Sequence, residues 1–171
     1  MSWHTDYPFL HKDLDLPEIQ SLNPIEVVTQ KAQTAYTLLQ KPALVEDTAI
    51  TFHAMGKLPG TFIKFFLQEL GAEGLCRMLD AYKSRAVTIG VYLALATENG
   101  VKVFSATKKG MVVKHPRGDA VFGTDSIIVP EGSSKTWAEM NKEELIQTSV
   151  RRVAIKKLQE YLQSNSQLNS E

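Results

Sequence analysis

The sequence predicts an α/β protein in which helices flank a mixed central sheet. Two observations support this fold class: helix-forming segments lie towards both ends of the chain, and a set of β-rich runs lies between them. At 171 residues the chain is long enough to bury a substantial core, so we expect a single domain over residues 1–171. The polar tail at residues 164–171 is expected to fray.

The composition is typical of a soluble globular protein, with 43% hydrophobic and 22% charged residues. Basic and acidic residues balance at 19 each, so no overall field favours nucleic acid or an anionic membrane as a partner. We find neither a leader pattern nor the roughly 20 consecutive apolar residues that span a bilayer. The single cysteine, Cys76, excludes an internal disulfide and fits a reducing compartment. We therefore expect a cytoplasmic protein that does not bind membranes.

The first predicted elements are a capped helix and a buried strand. Asn23 is a favourable N-cap and Pro24 a favourable first helical residue, which predicts a helix that begins here. Its apolar residues form one broad stripe, and Pro42 limits its other end. The run ALVEDT at residues 43–48 then predicts a short buried strand.

The middle of the chain predicts two helices and a hairpin. The helices cover residues 61–70, ended by Gly71, and about residues 73–82. Asn99 and Gly100 then separate two β-rich runs, which is a strong signal for a two-residue hairpin turn.

The remaining segments predict two short strands and a closing helix. The strands cover residues 111–113 and 126–130, and Thr136 with Glu139 fits a capping box at a helix start. The closing helix begins near residue 149 and presents one apolar face, made of Val150, Val153, Ala154, Leu158, Tyr161 and Leu162.

Two adjacent acids, Glu46 and Asp47, follow the apolar start of the first predicted strand. Side chains alternate along a strand, so the two carboxylates are expected on opposite faces unless the chain already turns. At the carboxyl end of a strand in an open α/β sheet, they would lie where such folds bind ligands. The alternative is that one of them caps a turn with Thr48. Both interpretations stay open.

A lysine, Lys64, lies in the first turn of the next predicted helix, where the helix dipole disfavours a cation. Such a lysine is useful where a phosphate docks, because the ammonium and the free amides then face one anion. The alternative is a lysine that extends into solvent. Acids near a cation at a helix start suggest a metal–phosphate ligand, and hard oxygen donors favour Mg²⁺. The four histidines show no metal-ligand spacing.

Five segments together resemble the inosine triphosphate pyrophosphatase family, most closely its eukaryotic-type members. They are DLDLPEIQ, ALVEDTAITFHAMGKLPGTFIKFFLQELGAEGL, FGTD, TWAEM and SVRRVAIKKLQEYL, and they occur in the family's order and spacing. The resemblance implies an elongated, two-lobed α/β fold with a central cleft, and a homodimer. It also implies Mg²⁺-dependent hydrolysis of deaminated purine nucleoside triphosphates (ITP, dITP and XTP) to the monophosphate and pyrophosphate.

The resemblance also implies roles for individual residues. Glu18 would bind the metal, and Asp47, with Glu46 beside it, would bind metal or orient the attacking water. Lys64 would hold phosphate. The purine pocket would be bordered or contacted by Phe122, Gly123, Asp125, Ser149 and Arg151.

Parts of the family pattern are replaced in this sequence. The family's Thr/Ser-x-Asn-x-x-Lys phosphate loop has no counterpart, so we expect a short, divergent N-terminal region at residues 1–12. Thr124 takes the place of an aromatic that stacks on the purine, Leu145 that of a lysine, and Val150 that of a histidine. If the family's first strand lies inside the sheet, we expect residues 1–12 or a second chain to cover the edge that its loss exposes.

Three interpretations follow from these replacements. The protein is a nucleoside triphosphate pyrophosphatase with weakened turnover or a shifted substrate. Alternatively, it is a catalytically degenerate relative that serves as a nucleotide-binding or protein-interaction module. A third alternative is a chain truncated relative to an active protein.

Overall fold

Within residues 9–119 and 123–168, which the computed structural model describes, four α-helices and five β-strands form. The helices are α1 (Pro24–Leu39), α2 (Ile63–Arg77), α3 (Lys142–Thr148) and α4 (Val150–Leu168). The strands are β1 (Ala43–Phe52), β2 (Pro59–Gly60), β3 (Ala86–Thr97), β4 (Gly100–Val112) and β5 (Ile128–Pro130). Two short 3₁₀ helices lie at His53–Met55 and Trp137–Glu139.

The strands form one sheet in the order β2-β1-β3-β4-β5, and each of these pairings is antiparallel. The predicted hairpin is confirmed, but its turn is formed by residues 98 and 99 instead of Asn99 and Gly100, because Gly100 already pairs with Thr97. The α/β class is also confirmed. The expected mixture of strand directions is not found among the described residues, because periodicity identifies strands but carries no information on their direction.

Helices cover both faces of the sheet. On one face, α1 buries Val28 and Ala32 against Ala94 and Ala96 of β3. On the other face, α2, the turns that follow it and α4 contribute to a larger core, which includes Phe52, Leu75, Leu79, Leu93 and Leu158. Each face of the sheet is therefore apolar where a helix packs, and polar side chains lie where the helices leave it.

The first helix and the capping box agree with the sequence predictions. The side chain of Asn23 accepts a hydrogen bond from the backbone amide of Ile25, and Pro24 is the first residue of α1. The reciprocal bonds between Thr136 and Glu139 are also present at the 3₁₀ helix.

Several element boundaries differ from the predictions. Strand β1 continues to Phe52, and residues 111–112 belong to β4. Gly71 has φ 65° and ψ 179°, which are not helical, so the predicted break at Gly71 is confirmed and α2 consists of two helical segments. The second segment ends at Arg77, earlier than the predicted end near residue 82. The last helix extends to Leu168, into the tail predicted to fray.

One edge of β1 is open in the described part of the chain. Strand β2 pairs only with Ile50 and Thr51, so residues 43–49 have no strand partner on that side. Residues 9–12, which were expected to help cover this edge, form no strand and are exposed. The rest of that prediction falls on residues 1–8, outside the described residues.

The apolar face of α4 provides a stability test. Leu158 is fully buried, whereas Val153, which was expected on the same face, is 52% exposed. We expect Leu158→Ala to lower the free energy of unfolding by about 2–5 kcal/mol, because it leaves a cavity between α4 and the sheet. The control Val153→Ala is expected to change it by less than about 0.5 kcal/mol. Urea denaturation measures both values, and equal losses would contradict the packing described above.

Candidate functional site

Glu46 and Asp47 lie on opposite faces of the sheet. In the β1–β3 register, Glu46 pairs with Leu93 and Asp47 with Tyr92, so their side chains alternate as in any strand. The expected alternation is therefore confirmed. The chain does not turn at Thr48, because β1 runs on to Phe52. The two acids thus occupy the middle of a strand, and the turn-capping interpretation is wrong.

Asp47 lies in an acidic cluster on the α1 face, near Glu18 and Lys31. The Lys31 ammonium donates to Glu18 Oε1 at 2.6 Å and to the Glu46 carbonyl at 3.4 Å. Asp47 Oδ2 is buried and has no hydrogen-bond partner in the described structure. Burial is the largest cause that raises the pKa of Asp47, which lies at about 6 once the opposing charge of Lys31 and the smaller raising effect of Glu18 are included. The cluster therefore has a carboxylate oxygen available for a cation.

Tyr92 adjoins the same cluster from β3. Burial raises the pKa of the Tyr92 phenol, and the neighbouring charge of Asp47 adds to this effect. The ring lies over Gly90, where an added Cβ would come within 2.6 Å of it. Gly90 therefore leaves room for this ring, which would have to shift if position 90 carried a side chain.

Glu46 binds Arg151 on the opposite face of the sheet. Arg151 Nε lies 3.0 and 2.9 Å from the two carboxylate oxygens, and Nη2 lies 2.7 Å from Oε1. The carboxylate is 18% exposed and the arginine side chain 35%. This hydrogen-bonded pair raises the pKa of Arg151. Glu46 therefore fixes the guanidinium and is not free to act as a base.

Asp125 is a second acid close to this guanidinium. Burial raises the pKa of Asp125, and the positive charge of Arg151 opposes that shift. Arg151 is thus placed between one carboxylate that it binds directly and another that it stabilises through space.

A cavity of about 650 Å³ lies beside this pair, between the sheet and α2, α3 and α4. Five of the residues predicted to bind substrate line it, namely Lys64, Gly123, Asp125, Ser149 and Arg151. Phe122 lies outside the described residues. Glu18, Glu46 and Asp47 do not line the cavity, so the structure divides the predicted site between two faces of the sheet.

Lys64 lies in the first turn of α2, as predicted, and its side chain is exposed. Within residues 9–119 and 123–168 its ammonium forms no ion pair. The cation therefore lies at the cavity wall with no ion-pair partner among the described residues, which suits an anionic ligand.

Sequence reasoning missed Lys31, Tyr92 and Trp137. Lys31 interrupts the apolar stripe of α1 between the buried residues Val28 and Ala35, and that interruption was a usable signal. Nothing local marks Tyr92, because its position opposite Asp47 depends on the strand register. Trp137 lines the cavity from the 3₁₀ helix.

The cluster around Asp47 suits a metal ion that arrives with a ligand. No group of three or more acidic, histidine or cysteine side chains is gathered among the described residues. Mg²⁺ in proteins is usually held by one or two carboxylates, with water and substrate phosphates as the other ligands. Glu18 and Asp47 can supply those two carboxylates, and the unpartnered Oδ2 of Asp47 is the atom that such an ion would satisfy.

The fold is that of known Ham1 proteins. The structure of the Staphylococcus aureus Ham1 protein matches it with a TM-score of 0.76 at 24% identity, covering 90% of this chain and 82% of the other. A HAM1 protein from Coxiella burnetii matches with a TM-score of 0.74 at 24% identity, covering 87% and 82%. At this level of identity the likeness defines the fold class.

Sequence comparison defines the family. The chain is 42% identical to inosine triphosphate pyrophosphatase 2 of Trypanosoma cruzi, covering 83% of this chain and 74% of that protein. It is also 42% identical to the inosine triphosphate pyrophosphatase of Emericella nidulans (89% and 82% covered), and 37% identical to the dITP/XTP pyrophosphatase of Hyperthermus butylicus (85% and 76%). The Ham1 family model matches residues 3–161, and this chain belongs to that family.

Among the residues described, no helix combines the length and the apolar character needed to cross a membrane.

The buried carboxylate of Asp47 predicts a stability change with pH. Its pKa is raised from 3.8 to about 6, so the folded state binds this proton more tightly than the unfolded state. Ionisation therefore costs stability as the pH rises through this range. In metal-free buffer at about pH 7.5, we expect Asp47→Asn to raise the free energy of unfolding by on the order of 2 kcal/mol, and this gain should vanish near pH 3.5.

Urea denaturation at several pH values measures this effect. The matched control is Asp80→Asn, at an exposed acid that pairs with Arg85 outside the cluster. A loss of stability for Asp47→Asn at neutral pH would contradict the assignment of Asp47 as a strained carboxylate.

Proposed function

We propose that this protein is a Mg²⁺-dependent nucleoside triphosphate pyrophosphatase that hydrolyses deaminated purine nucleoside triphosphates to the monophosphate and pyrophosphate. The names of its relatives support ITP, dITP and XTP as the substrate class. The observation that carries the proposal is the position of two adjacent β1 residues. Asp47 belongs to the acidic cluster with Glu18 and has an unpartnered carboxylate oxygen that could bind a cation. Glu46 holds Arg151 beside a cavity that is large enough for a purine base.

The acidic cluster supports the hydrolytic step. A bound Mg²⁺ would neutralise phosphate charge and lower the pKa of water. The residues that would hold it are Glu18 and Asp47. Asp47 orients the attacking water and accepts its proton as the water oxygen bonds to the α-phosphorus. The α–β anhydride bond then breaks, and pyrophosphate leaves with the bonding electron pair.

The cations supply charge for the polyphosphate. Lys64 has no protein counter-charge in the described structure and borders the cavity, so it binds phosphate oxygens as the ligand enters. Lys31 keeps the Glu18 carboxylate in place through its 2.6 Å hydrogen bond. Lys64 thus meets the triphosphate charge on the cavity face, whereas Lys31, already paired with Glu18, positions a carboxylate that would hold the metal on the other face.

The cavity supports discrimination of 6-oxopurines, which include hypoxanthine and xanthine, from adenine. Hypoxanthine and xanthine carry a carbonyl oxygen where adenine carries an amino group, and a guanidinium is only a hydrogen-bond donor. Arg151 therefore suits the 6-oxo group and repels the amino group of adenine. Asp125 and Ser149 provide further polar contacts to the ring from the same cavity wall.

A second candidate function is a nucleotide-binding or protein-interaction module without turnover. Two observations favour it: Leu145 and Val150 present apolar side chains to the cavity, and the Glu18 and Glu46 carboxylates are already held by Lys31 and Arg151. An enzyme with weakened turnover or a shifted substrate would be intermediate between these two functions. The pyrophosphate-release assay described below distinguishes an active enzyme from a module without turnover.

The proposal also includes a cytoplasmic homodimer that acts on free nucleotides and not on nucleic acid. The resemblance to the pyrophosphatase family supports the homodimer. The one cysteine, Cys76, is buried and free, which suits a reducing compartment.

Pyrophosphate release tests the activity. With MgCl₂, we expect release from ITP, dITP and XTP to exceed release from ATP, because the 6-oxo group accepts from Arg151. Asp47→Asn should lower kcat by about 100-fold or more, the range of a lost general base. Chelation by EDTA should abolish release from the wild type.

The control for this assay is Asp80→Asn, which should retain wild-type rates. If the wild type releases no pyrophosphate from any of these nucleotides or from GTP, the enzymatic proposal fails. The non-catalytic module would then be the function to pursue, by calorimetry with the same nucleotides.

Glu46→Gln tests the assignment of Glu46 as the residue that positions Arg151. The substitution removes one charge and one acceptor from a largely buried pair, so we expect kcat/KM for ITP to fall by about 10- to 100-fold. Selectivity for ITP over ATP should fall together with kcat/KM, since a displaced guanidinium no longer donates a hydrogen bond to the 6-oxo group.

A control at an exposed acid, Glu143→Gln in the first turn of α3, should change neither kcat/KM nor selectivity. A loss of kcat with unchanged selectivity after Glu46→Gln would instead assign Glu46 to the chemical step.

A further inference from the structure

Among the described residues, Trp137 contributes a large flat side chain, its indole, to the wall of the 650 Å³ cavity. It is the only aromatic side chain among the described residues that line this cavity. The remaining apolar wall is aliphatic and includes Ile50, Ile63, Leu67 and Ile89. A planar heteroaromatic ring gains more from contact with a parallel ring face than from branched aliphatic chains, because stacking brings all of its atoms into contact at once.

Trp137 is held rigidly enough to serve as such a surface. Its indole Nε1 donates to the Thr148 hydroxyl at 3.1 Å, and that hydroxyl donates to the Glu144 carbonyl at 2.8 Å. Trp137 also packs against the main core, while part of the residue remains accessible. The only polar atom of the side chain is already satisfied, so a ring that packs on the accessible part of the indole would not compete with a hydrogen bond.

The backbone around Trp137 is also fixed. The capping box between Thr136 and Glu139 closes the 3₁₀ turn, and Thr136 is fully buried. The Thr136 hydroxyl also donates to the carbonyl of Arg117 at 3.0 Å. These bonds order the ring before any ligand binds, so stacking on it requires little additional ordering.

The same turn is joined directly to the polar wall of the cavity. The amide of Ala138 donates to the carbonyl of Asp125 at 3.1 Å. The Asp125 charge in turn acts on Arg151. The flat surface and the polar groups that read a purine edge therefore form one connected unit.

We propose that the indole of Trp137 is the platform on which the purine ring stacks, which makes Trp137 a substrate-binding residue of this protein. This inference rests on the purine substrate class of the proposed function. It does not require turnover, because stacking contributes to binding of substrate and product alike.

Fluorescence tests the platform without altering Trp137. The sequence contains two tryptophans, so in a Trp3→Phe background all tryptophan emission comes from Trp137. Titration with IMP is expected to quench this emission in a saturable way, whereas ribose 5-phosphate, which has no base, should not quench it.

Calorimetry with substituted proteins tests the contribution to affinity. We expect Trp137→Leu to weaken IMP binding by about 5- to 150-fold, the range of a lost base–aromatic stack. Trp137→Phe should retain more of the affinity, because it keeps a ring while losing the bond to Thr148. The matched control is Tyr82→Leu, at a half-exposed aromatic outside the cavity, and it should bind IMP as the wild type does.

Tripolyphosphate binding distinguishes loss of the platform from loss of the fold. Trp137→Leu should bind tripolyphosphate as the wild type does, since that ligand has no base. The proposal is overturned if IMP binds to the wild type without quenching Trp137, if Trp137→Leu binds IMP with unchanged affinity, or if the wild type binds no purine nucleotide. A third outcome is that IMP quenches Trp137 and Trp137→Leu binds IMP more weakly, but the protein releases no pyrophosphate. This outcome would support the stacking platform and reject the enzymatic function.

Discussion

The antiparallel register between β1 and β3 determines the arrangement of the site. Because Glu46 pairs with Leu93 and Asp47 with Tyr92, consecutive acids project from opposite faces of one strand. A register shift of one residue would exchange those faces, placing Asp47 towards Arg151 and Glu46 towards Lys31. The packing of α1 on one face and α4 on the other keeps this register, since the apolar residues of β1 and β3 would change faces together with the acids.

The two acids differ in their chemistry because their surroundings differ. Glu46 binds a guanidinium through both carboxylate oxygens, so its hydrogen-bonding capacity is already used within the protein. Asp47 is buried with an unpartnered oxygen, and this favours its neutral form. One acid therefore stabilises the structure around the cavity, while the other is kept in an unfavourable state that a cation would relieve. The buried carboxylate of Asp47 lowers the free energy of unfolding, and such a local cost in stability is expected of a functional residue.

Sequence reasoning located the elements of the fold better than their limits. The cap at Asn23, the hairpin turn and the helix that includes Leu158 followed from local patterns, and each is present. The length of β1 did not follow, because Glu46 and Asp47 interrupt the apolar run although the strand continues through them. The exposure of Val153 could not be predicted either, since it depends on how far α4 overlaps the sheet.

The sequence indicated candidate site residues but not their spatial arrangement. Lys64, Asp125 and Arg151 line one cavity, and the roles assigned to them stay predictions. The bond between Glu46 and Arg151 joins residues that lie 105 positions apart in the chain. The separation of Asp47 from this cavity likewise depends on how distant segments pack. Contacts of that range depend on the tertiary fold. Lys31 is the exception, because a lysine inside an apolar stripe already indicates a buried negative charge nearby.

The open edge of β1 has a consequence for solubility. In the described part of the chain, residues 43–49 present unpaired backbone groups along one side of the strand, and such an edge can add a strand from another molecule. An incoming strand would have to approach two carboxylates on adjacent residues, one of them poorly solvated. It would also have to displace the Lys31 ammonium from the Glu46 carbonyl. The charges that define the candidate site thus also oppose edge-to-edge aggregation, so a variant that neutralises both acids would lose protection against self-association together with its chemistry.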